Sequence, residues 1–284
     1  MIAGCNKKNA TGDLENNPLL HPKETYLNTP DFGSIKVEHY KPAFYEAMRI
    51  HSAEIDSIAN NPEAPTFENT IVAMERSGQA LNRVSAIFFA LTSADTNDEL
   101  QAIEEEITPK LSAHYDSISM NDALFQRVKT LYEGDQTGID PEGQRVLKLT
   151  YQDFVRGGAL LSAEDKAKLK EINEKESRLT TDFGNRLTAA TNAPILISDR
   201  NMLEGLDESA LNAASAAAKE AGKEGQWLFR LNNTTGQDII ASLKNADARK
   251  LFYDKSIGRC VQSDSNDTRG IVKELVKVRA EKAK

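Results

Sequence analysis

The sequence has little cysteine: among its 284 residues, only Cys5 and Cys260 carry a thiol. Two thiols placed so far apart in the chain can build neither a disulfide framework nor a thiolate metal cage. Long apolar runs are also missing, because none approaches the roughly 18 residues that a membrane-spanning helix needs. The 9 prolines and 16 glycines are too few for a linker-rich or all-β chain, so helix is the expected secondary structure.

Positive charge is in deficit, since 35 Lys and Arg residues face 43 Asp and Glu residues and leave a net charge of −8. This balance argues against a protein that holds phosphates by bulk charge, and it predicts that nucleic acid is not a partner. The shares of hydrophobic residues, 39%, and charged residues, 27%, are typical of a globular chain with a sizeable core. The length fits one large domain or two medium-sized domains.

The sequence also lacks the motifs that build a catalytic centre. Its four histidines are His21, His39, His51 and His114, and none of them belongs to an H-E-x-x-H pattern. That pattern places two imidazoles on one helical face with a Glu directly after the first, as a zinc site of this kind requires. The phosphate-binding patterns G-x-G-x-x-G and G-x-x-x-x-G-K-[ST] and the esterase pattern G-x-S-x-G are missing as well. We therefore assign no catalytic residue and no metal ligand.

Apolar periodicity predicts helices along most of the chain. The first carries an apolar stripe at steps of three and four, formed by Phe44, Met48, His51, Ile55 and Ile58. Because His51 and His114 each continue such a stripe, we interpret them as buried structural histidines. Thr66 is predicted to cap a second helix with a stripe from Phe67 to Leu91, in which Gly78 permits close approach of a neighbouring helix.

Capping residues predict the boundaries of the helices that follow. Thr96 and Glu99 are expected to form a capping box at the start of the next helix. A short helix is predicted near 121–133, and another begins after Asp140-Pro141 and stops at Gly157-Gly158. Ser162 with Asp165 is predicted to open a long helix that runs to about residue 192.

The pattern changes after residue 192. Residues 194–197 and 227–231 are short apolar or alternating runs, which predict two strands that pair around an Ala-rich helix at 207–221. Helices resume near residues 237 and 245, and the last begins at about Asn266. This last helix carries no Gly, Asn or Pro near its end, so we expect the natural chain to continue. The predicted fold is mainly α: a multi-helix lobe with a small β element near residues 194–231.

The N-terminus contains a possible lipidation site. Ile2-Ala3-Gly4-Cys5 resembles the end of a bacterial lipoprotein signal, in which the cysteine is acylated, although the charged and apolar stretches that precede such a cysteine are missing. The polar residues that follow predict a flexible tether over residues 1–22. The alternative is a disordered tail with an incidental cysteine.

Several strings in the sequence resemble a known family of peptidases. They are KVEHYKPAF (36–44), PTFENT (65–70), FFALTSADTNDELQ (88–101), LSAHYDSI (111–118), TYQDFVRGGALL (150–161), WLFRLNNTT (227–235), NADARKLFY (245–253) and SNDTR (265–269). In this order they are similar to the N-terminal half of bacterial peptidyl-dipeptidases, which belong with oligopeptidase A and thimet oligopeptidase. The likeness spans nearly all of residues 30–284.

The resemblance implies a mostly helical zinc metallopeptidase whose two lobes line a channel that admits short unstructured peptides. The zinc ligands and the H-E-x-x-H helix of the family lie in a half that has no counterpart here, so no catalytic or metal-binding residue carries over. The implied organisation is a tether at residues 1–22 and a helical N-terminal lobe at 23–192 that forms a channel wall. Residues 193–284 would begin a second, catalytic lobe, truncated before the zinc motif.

Two functional hypotheses remain open. In the first, the chain is the substrate-channel region of a zinc peptidyl-dipeptidase that releases C-terminal dipeptides from oligopeptides, and it is inactive without the missing C-terminal catalytic lobe. In the second, it is a free-standing helical lipoprotein module that binds peptides or other proteins. If Cys5 is acylated, the expected location is the periplasm or the cell envelope, with the lipid as membrane tether; otherwise it is the cytoplasm.

Overall fold

The computed structural model describes residues 14–231 and 236–284. These residues form helices joined by short loops, together with one two-stranded antiparallel sheet, which confirms the mainly α fold with a small β element. The described residues divide into two compact units: unit 1 contains residues 14–178 and 281–284, and unit 2 contains residues 179–231 and 236–280. The division lies between residues 178 and 179, inside the helix Ala163–Asn192, whereas the sequence predicts a boundary after residue 192.

Unit 1 is built from helices that alternate with short loops. A π-helical turn, Phe67–Val72, leads directly into the second of them. The helices that begin in this unit are α1 (Val37–Ala59), α2 (Ala73–Arg76), α3 (Gln79–Ala94), α4 (Asp98–Ser119), α5 (Asp122–Glu133), α6 (Pro141–Arg156) and α7 (Ala163–Asn192).

The main core of unit 1 lies where α1 packs against α3 and α4. Phe44 on α1 and Phe88 on α3 are both fully buried, and their rings meet edge to face with centroids 5.2 Å apart. The ring of Tyr40 contacts Phe88 in the same way at 5.1 Å. The periodic stripe predicted for α1 is therefore confirmed as a buried face.

The segment before α1 belongs to this core. Leu19 is fully buried, and its carbonyl accepts a hydrogen bond from Arg83 Nε at 3.1 Å. Asn17 Nδ2 donates to the carbonyl of His39 at 2.9 Å. The prediction of a flexible tether over residues 1–22 is thus wrong for residues 17–20. Leu19 is buried in the core of unit 1, and Asn17 and Leu19 form hydrogen bonds with its helices. Cys5 lies outside the described residues.

A second core in unit 1 joins α5 and α6 to the π-helical turn, with Leu124, Phe125, Leu147 and Phe154 buried in it. Arg127 on α5 is buried and donates from Nη1 to the carbonyls of Asn61 and Glu63, at 2.9 and 3.0 Å. These bonds fix the loop that follows α1. The predicted helices at 121–133 and after Asp140 are confirmed.

The single helix predicted from Phe67 to Leu91 is wrong, because the chain breaks at Ser77 and Gly78. Gly78 has a φ of +70°, in the left-handed region that glycine adopts at little cost. The predicted cap at Thr66 is confirmed, since its hydroxyl accepts from the Asn69 amide at 3.0 Å. Two elements therefore occupy the stretch that apolar periodicity joined into one.

The capping box predicted at Thr96 and Glu99 is also wrong. Asn97 caps α4, with its side-chain oxygen accepting from the Leu100 amide at 2.9 Å. Because the side-chain oxygen of Asn97 satisfies the Leu100 amide, the helix begins one residue later than predicted, at Asp98. At the start of α7, in contrast, the predicted pair is confirmed, because Ser162 Oγ accepts from the Asp165 amide at 3.1 Å.

Unit 2 contains the small sheet. Strand β1 (Ile195–Ile197) pairs antiparallel with β2 (Trp227–Phe229), with Ile195 opposite Phe229, and α8 (Glu208–Glu220) lies between them in the chain. This arrangement is the one predicted. The unit also contains α9 (Gly236–Ser242), α10 (Ala246–Ile257) and all but the last two residues of α11 (Arg269–Lys282). The ring of Phe252 on α10 meets Phe229 edge to face at 5.3 Å in the buried core.

Candidate functional site

The histidines occupy three different settings. His21 is exposed, and His39 Nδ1 accepts from the Lys36 amide at 3.0 Å, which caps the start of α1. His51 and His114 are buried, each 8% exposed, and their rings are in contact. Within residues 14–231 and 236–284, no three His, Cys, Asp or Glu side chains come together as a metal site would require.

His51 and His114 form the centre of a hydrogen-bonded row that we call the histidine chain, with Ser52 at one end and Ser77 at the other. His114 Nε2 lies 3.0 Å from His51 Nδ1, and Ser77 Oγ lies 3.3 Å from His51 Nε2. Ser52 Oγ lies 3.5 Å from His114 Nδ1, which makes this link the longest. Ser77 Oγ also donates to the Met74 carbonyl at 2.7 Å.

The hydrogen bond from Ser77 to Met74 determines which atoms donate and which accept along the histidine chain. Since the hydroxyl proton of Ser77 is used there, Ser77 Oγ accepts from His51 Nε2–H. The other nitrogen of His51 then carries a lone pair and accepts from His114 Nε2–H. From this network we infer that both rings are neutral and carry the proton on Nε2.

Gly78 leaves the space that the imidazole of His51 occupies in the histidine chain. A Cβ atom at this position would lie 2.9 Å from His51 Cε1, so any larger residue collides with the imidazole. The Gly78 amide donates to Glu54 Oε2 on α1 at 2.7 Å, which holds the turn between α2 and α3 against α1. The predicted role of Gly78 in close approach is confirmed, although it lies in a turn and not within a helix.

Burial sets the protonation of the pair. It lowers the pKa of His51, an effect that the charge of Glu54 partly offsets. Burial also lowers the pKa of His114, and the neighbouring His51 lowers it further. Tyr115 packs beside both rings, with centroids 6.3 Å from His51 and 5.4 Å from His114, and burial raises its pKa. The arrangement therefore favours neutral imidazoles that hold helices together, as we predicted for structural histidines.

Replacing Gly78 by Ala is expected to lower the free energy of unfolding by about 1–3 kcal/mol, since Ala must adopt a positive φ and its Cβ collides with His51. Urea denaturation followed by circular dichroism measures the change. Gly138→Ala is the matched control in unit 1, because a Cβ there meets nothing within 4 Å. Equal effects of the two substitutions would contradict the proposed packing.

Replacing His51 or His114 by Ala is expected to destabilise unit 1 by about 1–3 kcal/mol, because each change leaves a buried hydrogen-bonding partner unsatisfied. The same urea denaturation measures it, with the exposed His21→Ala as control. A longer natural protein carrying either substitution should keep its zinc affinity. Loss of metal without loss of stability would show that these histidines are ligands.

A cleft of about 610 Å³ lies beside the histidine chain in unit 1. Glu54 and Ser77 contribute to its wall, so the groups that fix the turn also shape the cleft. Arg49 and Arg76 line it as well, but each is paired with a carboxylate, Glu46 at 2.7 Å and Glu68 at 3.0 Å.

A groove of about 800 Å³ runs between α1 and α4. Glu106 on α4 accepts hydrogen bonds from Lys41 Nζ at 2.6 Å and from the Tyr45 hydroxyl at 2.5 Å. Burial and the contact with Glu106 raise the pKa of Tyr45 to about 12, so this hydroxyl stays protonated. Pro42 and Ile103 add apolar lining. The groove offers contacts for binding and carries no activated nucleophile among these groups.

Helices α10 and α11 of unit 2 expose apolar side chains. Val272 and Val276 lie one turn apart on α11 and are 44% and 64% exposed. Tyr253 and Ile257 have the same spacing on α10 and are 52% and 63% exposed. On the same helix α11, Ile271 and Val278 are buried, at 8% and 2% exposed.

Sequence reasoning missed the contact between the two histidines. Periodicity places each on an apolar face, but it does not reveal which helices are neighbours or which residues face each other across 63 positions. The one signal was Gly78 within an apolar stripe. In the part of the chain that the structure describes, no helix is long and apolar enough to cross a membrane.

Comparison with known proteins places the chain among peptidases, although no family model matches it. It is 40% identical over 273 residues to dipeptidyl carboxypeptidase of Salmonella typhimurium, which covers 95% of this chain and 40% of that protein. The Escherichia coli protein of the same name is 39% identical over 94% of this chain and 40% of its own length.

A more distant group of relatives carries a different name. Oligopeptidase A of Salmonella typhimurium is 26% identical over 273 residues, 94% of this chain and 39% of that protein. The chain thus spans about two fifths of the length of the curated relatives it matches. It belongs to the family of dipeptidyl carboxypeptidase, oligopeptidase A and thimet oligopeptidase, of which it represents an N-terminal region.

Proposed function

We propose that this chain is the N-terminal region of a longer peptidyl-dipeptidase that releases C-terminal dipeptides from oligopeptides. The observation that carries the proposal is the 40% identity to dipeptidyl carboxypeptidase over 95% of the chain. The identity to oligopeptidase A is lower, at 26%. This difference favours the activity that the name dipeptidyl carboxypeptidase describes.

Within that protein, the chain supplies a wall of the substrate channel and no catalytic group. Zinc, which the family resemblance implies, does not fit the described residues, since they bring no three ligating side chains together. We therefore assign zinc to the part of the longer protein outside this chain. In its isolated form the chain is expected to bind no stoichiometric zinc after dialysis, and metal analysis that finds one zinc per chain would contradict this.

The groove between α1 and α4 is the part of unit 1 that best suits a peptide. Its lining combines the apolar Pro42 and Ile103 with the Tyr45 hydroxyl and the ammonium group of Lys41. Such a surface can accept an extended peptide by packing and by hydrogen bonds, without selecting one side chain. This is consistent with a channel that takes many short peptides.

The exposed apolar residues of α10 and α11 are the proposed contact with the remainder of the longer protein. Three of these side chains are more than two fifths exposed: Val272, Val276 and Ile257. Exposing several apolar side chains to water is unusual for a unit that functions alone. Dipeptidyl carboxypeptidase is about two and a half times as long as the region that aligns with this chain. We therefore infer that the segment of the longer protein beyond the aligned region covers this apolar surface. Without that segment, the isolated chain should self-associate.

Acylation of Cys5 remains a proposal that rests on the motif Ile2-Ala3-Gly4-Cys5. A natural gene with a signal ahead of Ile2 would place the protein in the periplasm or cell envelope. Mass spectrometry of the native N-terminus tests this, with Cys5→Ser as the variant. A Cys5→Ser protein that stays equally bound to membranes would show that lipid on this cysteine is not the anchor.

The proposed activity is tested on the product of the complete gene. Purified protein is incubated with an oligopeptide that has a free C-terminus, and the products are identified by mass spectrometry. Sequential loss of dipeptides from the C-terminus is the expected result. Cleavage at internal bonds only would contradict the proposed release of C-terminal dipeptides, and no cleavage at all would favour a peptide-binding module.

A further inference from the structure

The histidine chain has a limited capacity for protons. Each neutral imidazole in the histidine chain uses one N–H as donor and one lone pair as acceptor. At one end, the hydroxyl of Ser77 donates its proton to the Met74 carbonyl. One added proton can be accommodated at His114 Nδ1, because the hydroxyl of Ser52 can rotate and accept. A second proton leaves two N–H groups pointing at each other across the 3.0 Å contact.

We propose that the histidine chain is an acid-sensitive lock, which holds the turn between α2 and α3 against α1 and opens when both imidazoles are protonated. A doubly protonated pair has no acceptor between the rings and places two positive charges in contact inside the core. Separation of the rings relieves both costs. Because His51 also contacts the site of Gly78, the turn is the element that moves.

Two titratable side chains lie beside the rings of the histidine chain. Among the described residues, Glu54 on α1 and Tyr115 on α4 are titratable side chains that interact with the rings, and the turn contributes the hydroxyl of Ser77. Tyr115 is neutral in acid because a phenol ionises only near pH 10, and burial raises its pKa further. Glu54 attracts one proton to His51, but its carboxylate also holds the Gly78 amide, so any movement of the turn breaks that bond.

The sign of the pH dependence follows from the lowered pKa of both histidines. In the open state the rings regain their ordinary pKa of about 6.5 and bind protons more readily than in the closed state. The lock is therefore fully stable above about pH 6.5 and weakens as the pH falls below that value. Opening also alters the cleft beside it, because Glu54 and Ser77 line that cleft.

Hydrogen exchange of the Gly78 amide tests the lock in the intact chain. Protection factors, corrected for the intrinsic rate, are compared at about pH 7.5 and about pH 5, on either side of the ordinary histidine range. The Leu124 amide, which is bonded to Asn121 Oδ1 in the same unit, is the internal control. Gly78 protection should fall about tenfold or more relative to Leu124, since pH 5 lies below the ordinary histidine pKa of about 6.5 and each pH unit below it is worth up to about tenfold in the opening equilibrium.

Substitution and NMR provide independent tests. His114→Gln keeps an N–H donor for His51 and removes one basic ring, so the acid-dependent loss of Gly78 protection should shrink; the exposed His21→Gln should leave it unchanged. In the unsubstituted chain, ¹⁵N shifts should show both rings as neutral Nε2–H tautomers at about pH 7.5. Rings that both bind protons near pH 6.5, with Gly78 still protected, would overturn the proposal, as would parallel losses at Gly78 and Leu124.

Discussion

Replacing Phe44 by Ala is expected to lower the free energy of unfolding of unit 1 by about 3–5 kcal/mol. Phe44 is fully buried at the junction of α1 and α3, with ring contacts to Phe88 at 5.2 Å and Phe89 at 6.4 Å. The truncation removes the apolar surface of the ring and leaves a cavity that flanking helices can close only in part. Urea denaturation followed by circular dichroism measures the loss.

The matched control is Phe32→Ala. Phe32 precedes α1 and is 53% exposed, so its loss should change stability by no more than about 0.5 kcal/mol. A change below about 1 kcal/mol for Phe44→Ala would contradict the core assigned to unit 1. A large effect of Phe32→Ala would show that the segment before α1 contributes more packing than its exposure indicates.

Introducing Asp at Val276 is expected to weaken association with the remainder of the longer protein by about 2–4 kcal/mol, because a charge would enter an apolar contact. Val276 is 64% exposed in unit 2, so the isolated chain should keep its stability. The measurement is the concentration of separately produced remainder that restores dipeptide release, with each 1.4 kcal/mol equal to about tenfold in that concentration.

Lys273→Asp is the control for this substitution, since Lys273 is exposed on the same helix. It introduces the same side chain at a polar position and should leave reconstitution close to that of the unsubstituted chain. Equal losses from both substitutions would show that charge on α11, and not its apolar face, governs association. No loss from either would remove α11 from the interface.

Much of the fold could be predicted because local signals agree with tertiary packing. The stripe of α1 predicts its buried face, Asp140-Pro141 predicts the start of α6, and the alternation around Trp227 predicts β2. In these segments, capping chemistry and hydrophobic period point to the same element. The family resemblance, which rests on strings spread along the chain, agrees with the 40% identity to dipeptidyl carboxypeptidase.

The features that could not be predicted depend on partners distant in the sequence. The break at Gly78 occurs inside an apolar stripe, and only the ring of His51 across the helix interface explains it. From the sequence, Leu19 is assigned to a polar terminus. In the structure it is held in the core by a hydrogen bond from Arg83 on α3 to its carbonyl. The histidine chain likewise requires the side-by-side placement of α1 and α4, which no local pattern encodes.

The central claim is that this chain is a non-catalytic region of a peptidyl-dipeptidase, and dipeptide release during reconstitution tests it most directly. The chain, the separately produced remainder and their mixture are each incubated with the same oligopeptide, and released dipeptides are quantified by mass spectrometry. We predict no release by the chain, little by the remainder and restored release by the mixture. Hydrolysis by the chain alone, or full activity of the remainder without it, would contradict the claim.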